Sequence, residues 1–351
     1  MNSLLKSATK NLVYLLLSRL NLFQVGHKVI TKNTLSILTY HAIINSKLLV
    51  DDWCFLDTSS FYKQIAYLKS HFKIVSLSNA IDLLKNDELN VPTAVVTFDD
   101  GFQNNYDTAF PILCDEEVPA TIFLSTKFVD TDDTIWFCRL NDALGKTGSK
   151  LLEWNGEVFN ISGPEQKAVA SARIQTMLKE IPHPQLLNET QNIIRQLGDD
   201  PDRPIPYNSP YRMLSSKAIL EMAKSGLIEF GAHTHNHAIL NNLSLIDKKN
   251  EITNSIKFVE QKTMNLCKYF AYPNGREEDF DNESMTIIKS CGIDAAVTMI
   301  MGPNDSATSL MQLRRYGIGR SINISEFQAL IHNFIWYFKK IRKIPNFILR
   351  H

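Results

Sequence analysis

The chain has 351 residues, of which 44% are hydrophobic, so it can bury a large core as one α/β domain or as two smaller ones. Its 37 basic residues balance its 37 acidic residues, which excludes the basic excess that is typical of nucleic-acid-binding proteins. No stretch approaches the roughly 20 consecutive apolar residues that a membrane-spanning helix needs.

The five cysteines are scattered, and no two of them form a Cys-x-x-Cys pair. An odd number without close spacing argues against a disulfide framework and against a thiolate zinc site. We therefore predict buried thiols in a reducing compartment. This favours a cytoplasmic location, either free or peripheral on the inner face of a membrane, over a secreted or periplasmic one.

Both ends of the chain are basic and apolar. Residues 1–33 form a lead with basic residues but no acid, and its apolar run at 11–17 is too short, and lacks a cleavage site, to favour a signal peptide. Residues 321–351 form a predicted amphipathic helix in which an aromatic run leads into a basic cluster. Such ends suit contact with an anionic membrane surface, or they are ordinary amphipathic helices docked on the rest of the protein.

Between these ends, strands alternate with helices, which is typical of a parallel α/β fold. We predict strands at residues 35–40, 73–77, 95–98, 120–124, 228–232, 269–272, 294–298 and 312–318. We predict helices between them at residues 61–72, 78–85, 106–117, 216–224, 244–264 and 283–290. The catalytic region is expected to cover residues 34–320.

The regular alternation of strands and helices is lost between about residues 131 and 210. An apolar helix starts at Trp136, residues 153–157 resemble a turn, and residues 166–197 read as helices. We predict an insertion over one end of a barrel, not a separate domain.

The strand at residues 95–98 ends in two adjacent acids and a glycine, Asp99-Asp100-Gly101. Gly101 allows a sharp turn, and neighbouring residues at a strand end need not share one environment. One carboxylate could therefore hold a metal ion while the other takes a proton from water. The alternative is a loop in which an aspartate caps the next helix.

Three histidines follow the strand at residues 228–232, in the sequence His233-Thr234-His235-Asn236-His237. His233 and His237 are four apart, which would put both imidazoles on one face of a helical turn. A catalytic zinc site needs a third ligand besides two histidines, and Asp99 or Asp100 is the natural donor. His235 lies two residues from both His233 and His237, so on such a turn its side chain would point away from their shared face.

A third strand end carries Tyr272-Pro273-Asn274-Gly275. Pro273 and Gly275 predict a tight turn that can aim a backbone N–H at an oxyanion. All three motifs fall at predicted carboxyl ends of strands, where a parallel barrel gathers its active site.

These motifs resemble those of the polysaccharide deacetylases of carbohydrate esterase family 4, which share the nodulation-factor deacetylase homology domain. Residues 97–101 (Thr-Phe-Asp-Asp-Gly) match the family's first motif, and residues 233–237 match its His-[Ser/Thr]-x-x-His motif. Residues 270–275 are similar to the third motif of the exopolysaccharide deacetylases. The resemblance covers residues from about 35 to 320.

The resemblance implies a distorted (β/α) barrel with about seven parallel strands and a divalent metal, commonly zinc. By it, Asp100, His233 and His237 hold the metal, Asp99 is the catalytic base, and the backbone N–H of Asn274 is the oxyanion donor. Tyr272 and Pro273 would flank the substrate.

The chain departs from the family in two places. The arginine that usually opens the third motif is absent, and Arg315 or Arg320 would have to reach in from the next strand. The late Leu-x-His motif that supplies the general acid is not evident, since Leu330-Ile331-His332 lies in the amphipathic tail. His41, at the end of the first strand, is an alternative proton donor, a residue behind the ligands or a core histidine.

The resulting hypothesis is metal-assisted hydrolysis of N-acetyl groups on N-acetylhexosamine units of a bacterial surface polysaccharide or its lipid-linked precursor, with Trp136 as a candidate for stacking on sugars. Two alternatives are a metal-dependent amidase or deformylase acting on a small or lipid-linked amide, and a catalytically silent carbohydrate-binding protein. The expected partner is a carbohydrate, with no nucleic acid and with possible peripheral contact to a membrane.

Overall fold

A computed structural model describes residues 2–30 and 33–342, and describes side chains for residues 10–29 and 33–340. The outermost parts of the two predicted terminal segments, including residues 343–351, lie outside this range. Within it, no helix is both long enough and apolar enough to cross a bilayer.

The core of the fold is a curled sheet of parallel strands, as predicted. The strands are β1 (Leu35–Tyr40), β2 (Ala42–Ile44), β3 (Phe55–Asp57), β4 (Lys73–Ile74), β5 (Thr93–Phe98), β6 (Ala120–Leu124), β7 (Leu151–Trp154), β8 (Glu157–Asn160), β9 (Ile228–Ala232), β10 (Tyr269–Ala271), β11 (Ala295–Val297) and β12 (Tyr316–Gly317). Seven of them follow the order β11-β10-β9-β6-β5-β1-β12, and β4 pairs with β5. A parallel bridge between Val297 and Leu313 brings the two ends of this sheet together.

Helices connect and cover the strands. They are α1 (Asn2–Arg19), α2 (Leu22–Ile30), α3 (Thr58–His71), α4 (Leu77–Lys85), α5 (Phe110–Asp115), α6 (Trp136–Lys146), α7 (Pro164–Leu178), α8 (His183–Gln196), α9 (Ser216–Lys224), α10 (Leu245–Thr263), α11 (Asn282–Ser290), α12 (Ile324–Ile331) and α13 (Phe334–Arg342). Strands β1, β5 and β6 are buried along their whole length, as expected for a parallel sheet covered on both faces.

The register of the sheet aligns the carboxyl ends of the motif-bearing strands. Phe98 of β5 pairs with Ile122 of β6, and Leu124 of β6 pairs with Ala232 of β9. Ala232 in turn pairs with Phe270 of β10. The residues that follow these strands therefore emerge at one rim of the barrel.

The region between residues 131 and 210 packs around a hydrophobic cluster that it shares with β2 and β3. This cluster joins α6, α7 and α8 to β2 and β3, with Ile44, Phe55, Leu140, Ile174 and Ile193 among its buried members. The predicted turn at residues 153–157 is the tip of an antiparallel hairpin formed by β7 and β8.

Four local predictions are wrong, and the first is the strand at residues 73–77, of which only β4 forms, because Leu77 already begins α4. Of the strand predicted at residues 312–318, only β12 forms: residue 312 belongs to a helical turn, and Leu313 makes an isolated bridge to Val297. The predicted single C-terminal helix is two helices, which are separated at Asn333, whose φ is +64°. All five cysteines are free thiols, but Cys114 is exposed and Cys291 is half-buried, so the prediction of buried thiols holds only for the other three.

Candidate active site

The turn after β5 sends its two carboxylates into different surroundings. Asp100 has a left-handed backbone with φ of +74°, followed by Gly101 at +83°. A Cβ atom on Gly101 would lie 2.8 Å from a methyl carbon of Leu124, which would have to move, so the left-handed conformation and the crowding both favour glycine. Neither acid caps the next helix, which excludes that alternative for this turn.

Asp99 forms a buried, bidentate ion pair with Arg315. The Nη1 and Nη2 atoms of Arg315 donate to the two carboxylate oxygens of Asp99, each at 2.7 Å. Arg315 is fully buried and also donates from Nε to the Thr298 carbonyl oxygen at 2.8 Å. Burial by itself would raise the pKa of Asp99, but the guanidinium outweighs it and holds that pKa below its usual range. Asp99 is therefore ionised at neutral pH and fixed in orientation.

Asp100, His233 and His237 form a compact cluster. One potential ligand atom from each residue lies within 4.8 Å of the others. The Nε2 atom of His233 is 3.6 Å from Oδ1 of Asp100, and that of His237 is 3.2 Å from the same oxygen. The fold thus brings together residues that are more than 130 positions apart in the chain.

The histidines reach this cluster from an irregular loop, not from a helical turn, so that part of the prediction is wrong. Residues 233–239 have no helical hydrogen bonding, and Thr234 and His237 are both left-handed, with φ of +60° and +55°. His233 donates from Nδ1 to the Ala271 carbonyl oxygen at 2.7 Å, which leaves the Nε2 lone pair facing Asp100. His235 points elsewhere and pairs with the Thr126 hydroxyl at 2.9 Å.

The cluster fits a divalent metal ion. Asp100 is buried, yet neither of its carboxylate oxygens has a hydrogen-bond partner in the described chain. Burying a carboxylate without hydrogen-bond donors is energetically costly, and a bound cation would offset that cost. Burial lowers the pKa of His233 to about 4, which keeps its imidazole neutral and able to act as a ligand.

The turn after β10 holds Asn274 between two charged side chains. Lys179, at the end of α7, donates from Nζ to Oδ1 of Asn274 at 3.1 Å. The Nδ2 atom of Asn274 donates to Oδ2 of Asp279 at 2.6 Å. Asn274 is left-handed, with φ of +60°, and its backbone N–H donates to no acceptor within the described residues. The turn therefore presents a fixed backbone donor.

A cleft with about 530 Å³ of empty space, part of which is open to solvent, connects these three strand ends. Besides Asp99, Asp100, His233, His237 and Asn274, its wall includes His41, Trp53, Phe137, Gln175, Lys179 and Met299.

The remaining predicted site residues differ in their access to the cleft. His41 lines it, and its buried Nδ1 atom has no hydrogen-bond partner among the described residues. Trp136 is only 5% exposed, whereas Trp53 on the cleft wall is 42% exposed. Tyr272 is buried, stacks on Phe280 with ring centroids 4.1 Å apart, and donates to the Met311 carbonyl oxygen. Pro273 is buried within the turn.

Comparison with known proteins places this site in a family. Residues 86–296, more than half of the chain, match the family model for polysaccharide deacetylase. The chain belongs to the polysaccharide deacetylase family. Its relatives include the poly-beta-1,6-N-acetyl-D-glucosamine N-deacetylase of Staphylococcus aureus, which is 24% identical over 214 residues, covering 56% of this chain and 71% of that protein.

Solved polysaccharide deacetylase structures share the fold. The Streptococcus pyogenes deacetylase PplD superimposes with a TM-score of 0.57 at 18% identity, over 86% of this chain and 99% of PplD. IcaB from Ammonifex degensii gives a TM-score of 0.54 at 18% identity, over 85% of this chain and 97% of IcaB.

In this member of the polysaccharide deacetylase family, an arginine from the segment before β12 lies beside the first-motif aspartate. The position that opens the third motif has no arginine, but Arg315, just before β12, contacts Asp99 instead. Arg320 is not involved, because it pairs with Asp51 near the surface. His332 lies outside the cleft, where it is buried between His27 and Tyr67.

Sequence reasoning missed Lys179, Asp279 and Trp53. Lys179 belongs to the insertion, and no motif or spacing relates it to Asn274, which is 95 residues later. Asp279 had a weak local signal, since an acid five residues after the asparagine of a Pro-Asn-Gly turn can fold back onto that turn. Trp53 lies in a loop before β3 that carries no periodic pattern.

Replacing Asp100 by asparagine should abolish the stabilisation that metal gives, without destabilising the metal-free protein. The variant removes a buried charge whose oxygens have no hydrogen-bond partner among the described residues and whose nearest polar neighbours are the imidazoles of His233 and His237, so we expect its melting temperature without metal to stay close to that of the wild type. Added zinc should raise the melting temperature of the wild type only. Thermal unfolding with and without chelator, together with measurement of bound metal, checks this; equal metal stabilisation of both proteins would contradict it.

Proposed function

We propose that this protein is a metal-dependent hydrolase that removes N-acetyl groups from N-acetylhexosamine units of a bacterial surface polysaccharide or its lipid-linked precursor. The observation that carries the proposal is the pair of adjacent carboxylates: Asp99 is ionised and fixed by Arg315, and Asp100 is grouped with His233 and His237. One can act as a base while the other serves as a ligand.

Asp100, His233 and His237 would hold the ion, and two imidazoles with one carboxylate suit zinc with a position left for water. When bound, the ion supplies a Lewis acid that polarises the acetyl carbonyl and acidifies water. Asp99 accepts the proton from the attacking water. Its bidentate contact with Arg315 keeps it deprotonated and aimed at the cleft.

The backbone N–H of Asn274 would donate to the oxyanion that forms when water adds to the acetyl carbonyl group. Preorganised donors of this kind are typically worth roughly 2.7–4 kcal/mol of barrier. The amine that leaves needs a proton, and His41 and Lys179 are our candidates because both line the cleft outside the ligand cluster. Burial lowers the pKa of Lys179, which makes its ammonium a better proton donor near neutral pH.

The substrate class is inferred from the cleft and from relatives. The relative in Staphylococcus aureus is a deacetylase of poly-beta-1,6-N-acetyl-D-glucosamine, which supports an N-acetylglucosamine polymer. Trp53, which is 42% exposed on the cleft wall, is better placed than the buried Trp136 to stack on a sugar ring.

The test is acetate release from a panel of N-acetylated oligosaccharides, with and without chelator, alongside detection of the new amine. We expect equal amounts of acetate and amine, and loss of both with chelator. Release of formate or ammonia from small amides would instead identify an amidase or deformylase. Binding of metal and oligosaccharide without acetate would identify a silent carbohydrate-binding protein.

Replacing Lys179 by methionine should lower kcat by at least roughly ten- to a hundredfold, because it loosens the turn that holds Asn274, where a shift of about 1 Å has effects of that size, and because it removes a candidate proton donor. The change removes one of the two side-chain contacts that hold Asn274. Lys167→Met is the matched control: Lys167 is also on α7, but it donates to the Gly145 and Thr147 carbonyl oxygens. Steady-state kinetics of both variants should differ; equal kcat values would exclude a role for Lys179.

A further inference from the structure

The charges of this chain are segregated, although the net charge is zero. Residues 1–50 and 327–351 contain 11 basic residues and no acid. The central segment, residues 51–326, contains the other 26 basic residues and all 37 acids. A positive field is therefore concentrated on the two ends of the chain.

The two ends pack against each other. Phe334 of α13 contacts Tyr14 of α1 and Phe23 of α2, with ring centroids 6.3 and 5.1 Å apart. His27 of α2 lies within 2.9 Å of His332, measured between their Nδ1 atoms. The basic ends thus form one continuous part of the molecule.

The face of α1 that points away from these contacts is apolar and exposed. Lys10, Tyr14 and Ser18, spaced by four, face α12 and α13, where Lys10 pairs with Glu326 and Ser18 bonds to Gln328. The opposite arc carries exposed leucines and a basic residue: Leu12 (57%), Leu15 (38%), Leu16 (51%), Leu20 (67%) and the exposed Arg19.

Helix α2 repeats this arrangement. Phe23 and His27 are buried at 1% exposure, while Leu22 (45%), Val25 (54%) and Val29 (75%) form an apolar stripe on the other side. Lys28 is exposed beside the stripe. Neither Arg19 nor Lys28 forms an ion pair with any residue whose side chain is described.

We propose that α1 and α2 form a docking surface for an anionic lipid bilayer, made by Leu12, Leu15, Leu16, Leu20, Leu22, Val25 and Val29 with Arg19 and Lys28. We call these nine residues the terminal-helix surface. Aliphatic side chains enter the headgroup boundary while arginine and lysine meet anionic headgroups.

Charge complementarity favours a bilayer over a second copy of this chain. The surface of a second copy would bring its own Arg19 and Lys28 against the same residues, which is repulsive. A bilayer with anionic lipids offers the apolar depth and the negative charge together. Docking there would hold the enzyme beside substrates at a membrane, although the proposal does not depend on the proposed activity.

The test is sedimentation of the full chain with vesicles of phosphatidylcholine alone and of phosphatidylcholine and phosphatidylglycerol in a two-to-one mixture. We expect binding to the mixed vesicles that weakens at high salt. A triple variant, Leu12→Ser, Leu16→Ser and Val25→Ser, should bind roughly tenfold more weakly or worse. Arg19→Ser and Lys28→Ser should each weaken binding about fivefold at low salt.

The matched control changes exposed apolar residues on the acidic part of the chain: Leu245→Ser, Ile246→Ser and Leu266→Ser, which are 55%, 73% and 76% exposed. This control should bind as the wild type does, and melting temperatures should show that all variants fold. Equal binding to both kinds of vesicle, no binding to either, or equal weakening by the control would overturn the proposal. So would self-association in solution that the first triple variant abolishes, because the surface would then join copies of the chain.

Discussion

Replacing Asp99 by asparagine is expected to lower kcat by roughly 10²–10⁴-fold, the usual contribution of a positioned general base. Asparagine has nearly the same shape but cannot accept a proton from water. The ligand cluster at Asp100, His233 and His237 remains, so bound metal should stay close to the wild-type level. Acetate release and metal content, measured on the same preparation, check both expectations.

This variant also leaves the Arg315 guanidinium buried without its counter-charge, so lost stability has to be separated from lost chemistry. The double variant Asp99→Asn with Arg315→Met removes both charges and should fold better than the single variant, while remaining inactive. Asp202→Asn, at an exposed aspartate, is the matched control and should keep wild-type activity. Near wild-type turnover of Asp99→Asn would show that another group is the base.

Replacing Arg315 by methionine is expected to cost about 3–5 kcal/mol of unfolding free energy, because it leaves the buried Asp99 carboxylate unpaired. Arg315 is fully buried, and it donates hydrogen bonds to the Asp99 carboxylate and to the Thr298 carbonyl oxygen. Activity should fall as well, since an unpaired buried carboxylate has a raised pKa and loses its fixed orientation. Denaturant unfolding measures the first effect and acetate release the second.

Arg320→Met provides the matched control. Arg320 also forms an ion pair, with Asp51 at 2.6 Å, but its side chain is 36% exposed. Exposed pairs are typically worth about 0–1 kcal/mol, so this change should be nearly silent. If the two variants lost the same stability, burial of the Asp99–Arg315 pair would not be what makes it important.

The Asp99–Arg315 pair also makes the stability of the fold depend on pH in the acid range. Arg315 lowers the pKa of Asp99 in the folded protein, so the pair stabilises the fold above the unfolded-state pKa of about 3.9. That contribution disappears as the pH falls towards the folded-state pKa, where Asp99 becomes protonated. In Arg315→Met this part of the acid sensitivity should be absent.

Local signals predicted the elements well where the pattern was strong. The strands at residues 35–40 and 120–124 match β1 and β6 residue for residue, because short β-branched and aromatic runs bounded by polar residues leave few alternatives. The prediction failed at residues 312–318, where the sequence Gln-Leu-Arg-Arg-Tyr-Gly-Ile forms only β12. Leu313 there is held by bonds to β11 after a helical turn, and composition does not encode that arrangement.

By itself, the sequence determined which residues could form the site: the acids after β5, the histidines after β9 and the turn after β10, because strand ends in a parallel barrel converge on one rim. Only the tertiary structure decided that Arg315 pairs with Asp99, that Lys179 holds Asn274 and that His332 lies outside the cleft. The Lys179–Asn274 and Arg315–Asp99 contacts join residues that are 95 and 216 positions apart in the chain. Local sequence patterns carry no information about pairs at such separations. Their geometry follows from how the sheet curls and where the insertion packs.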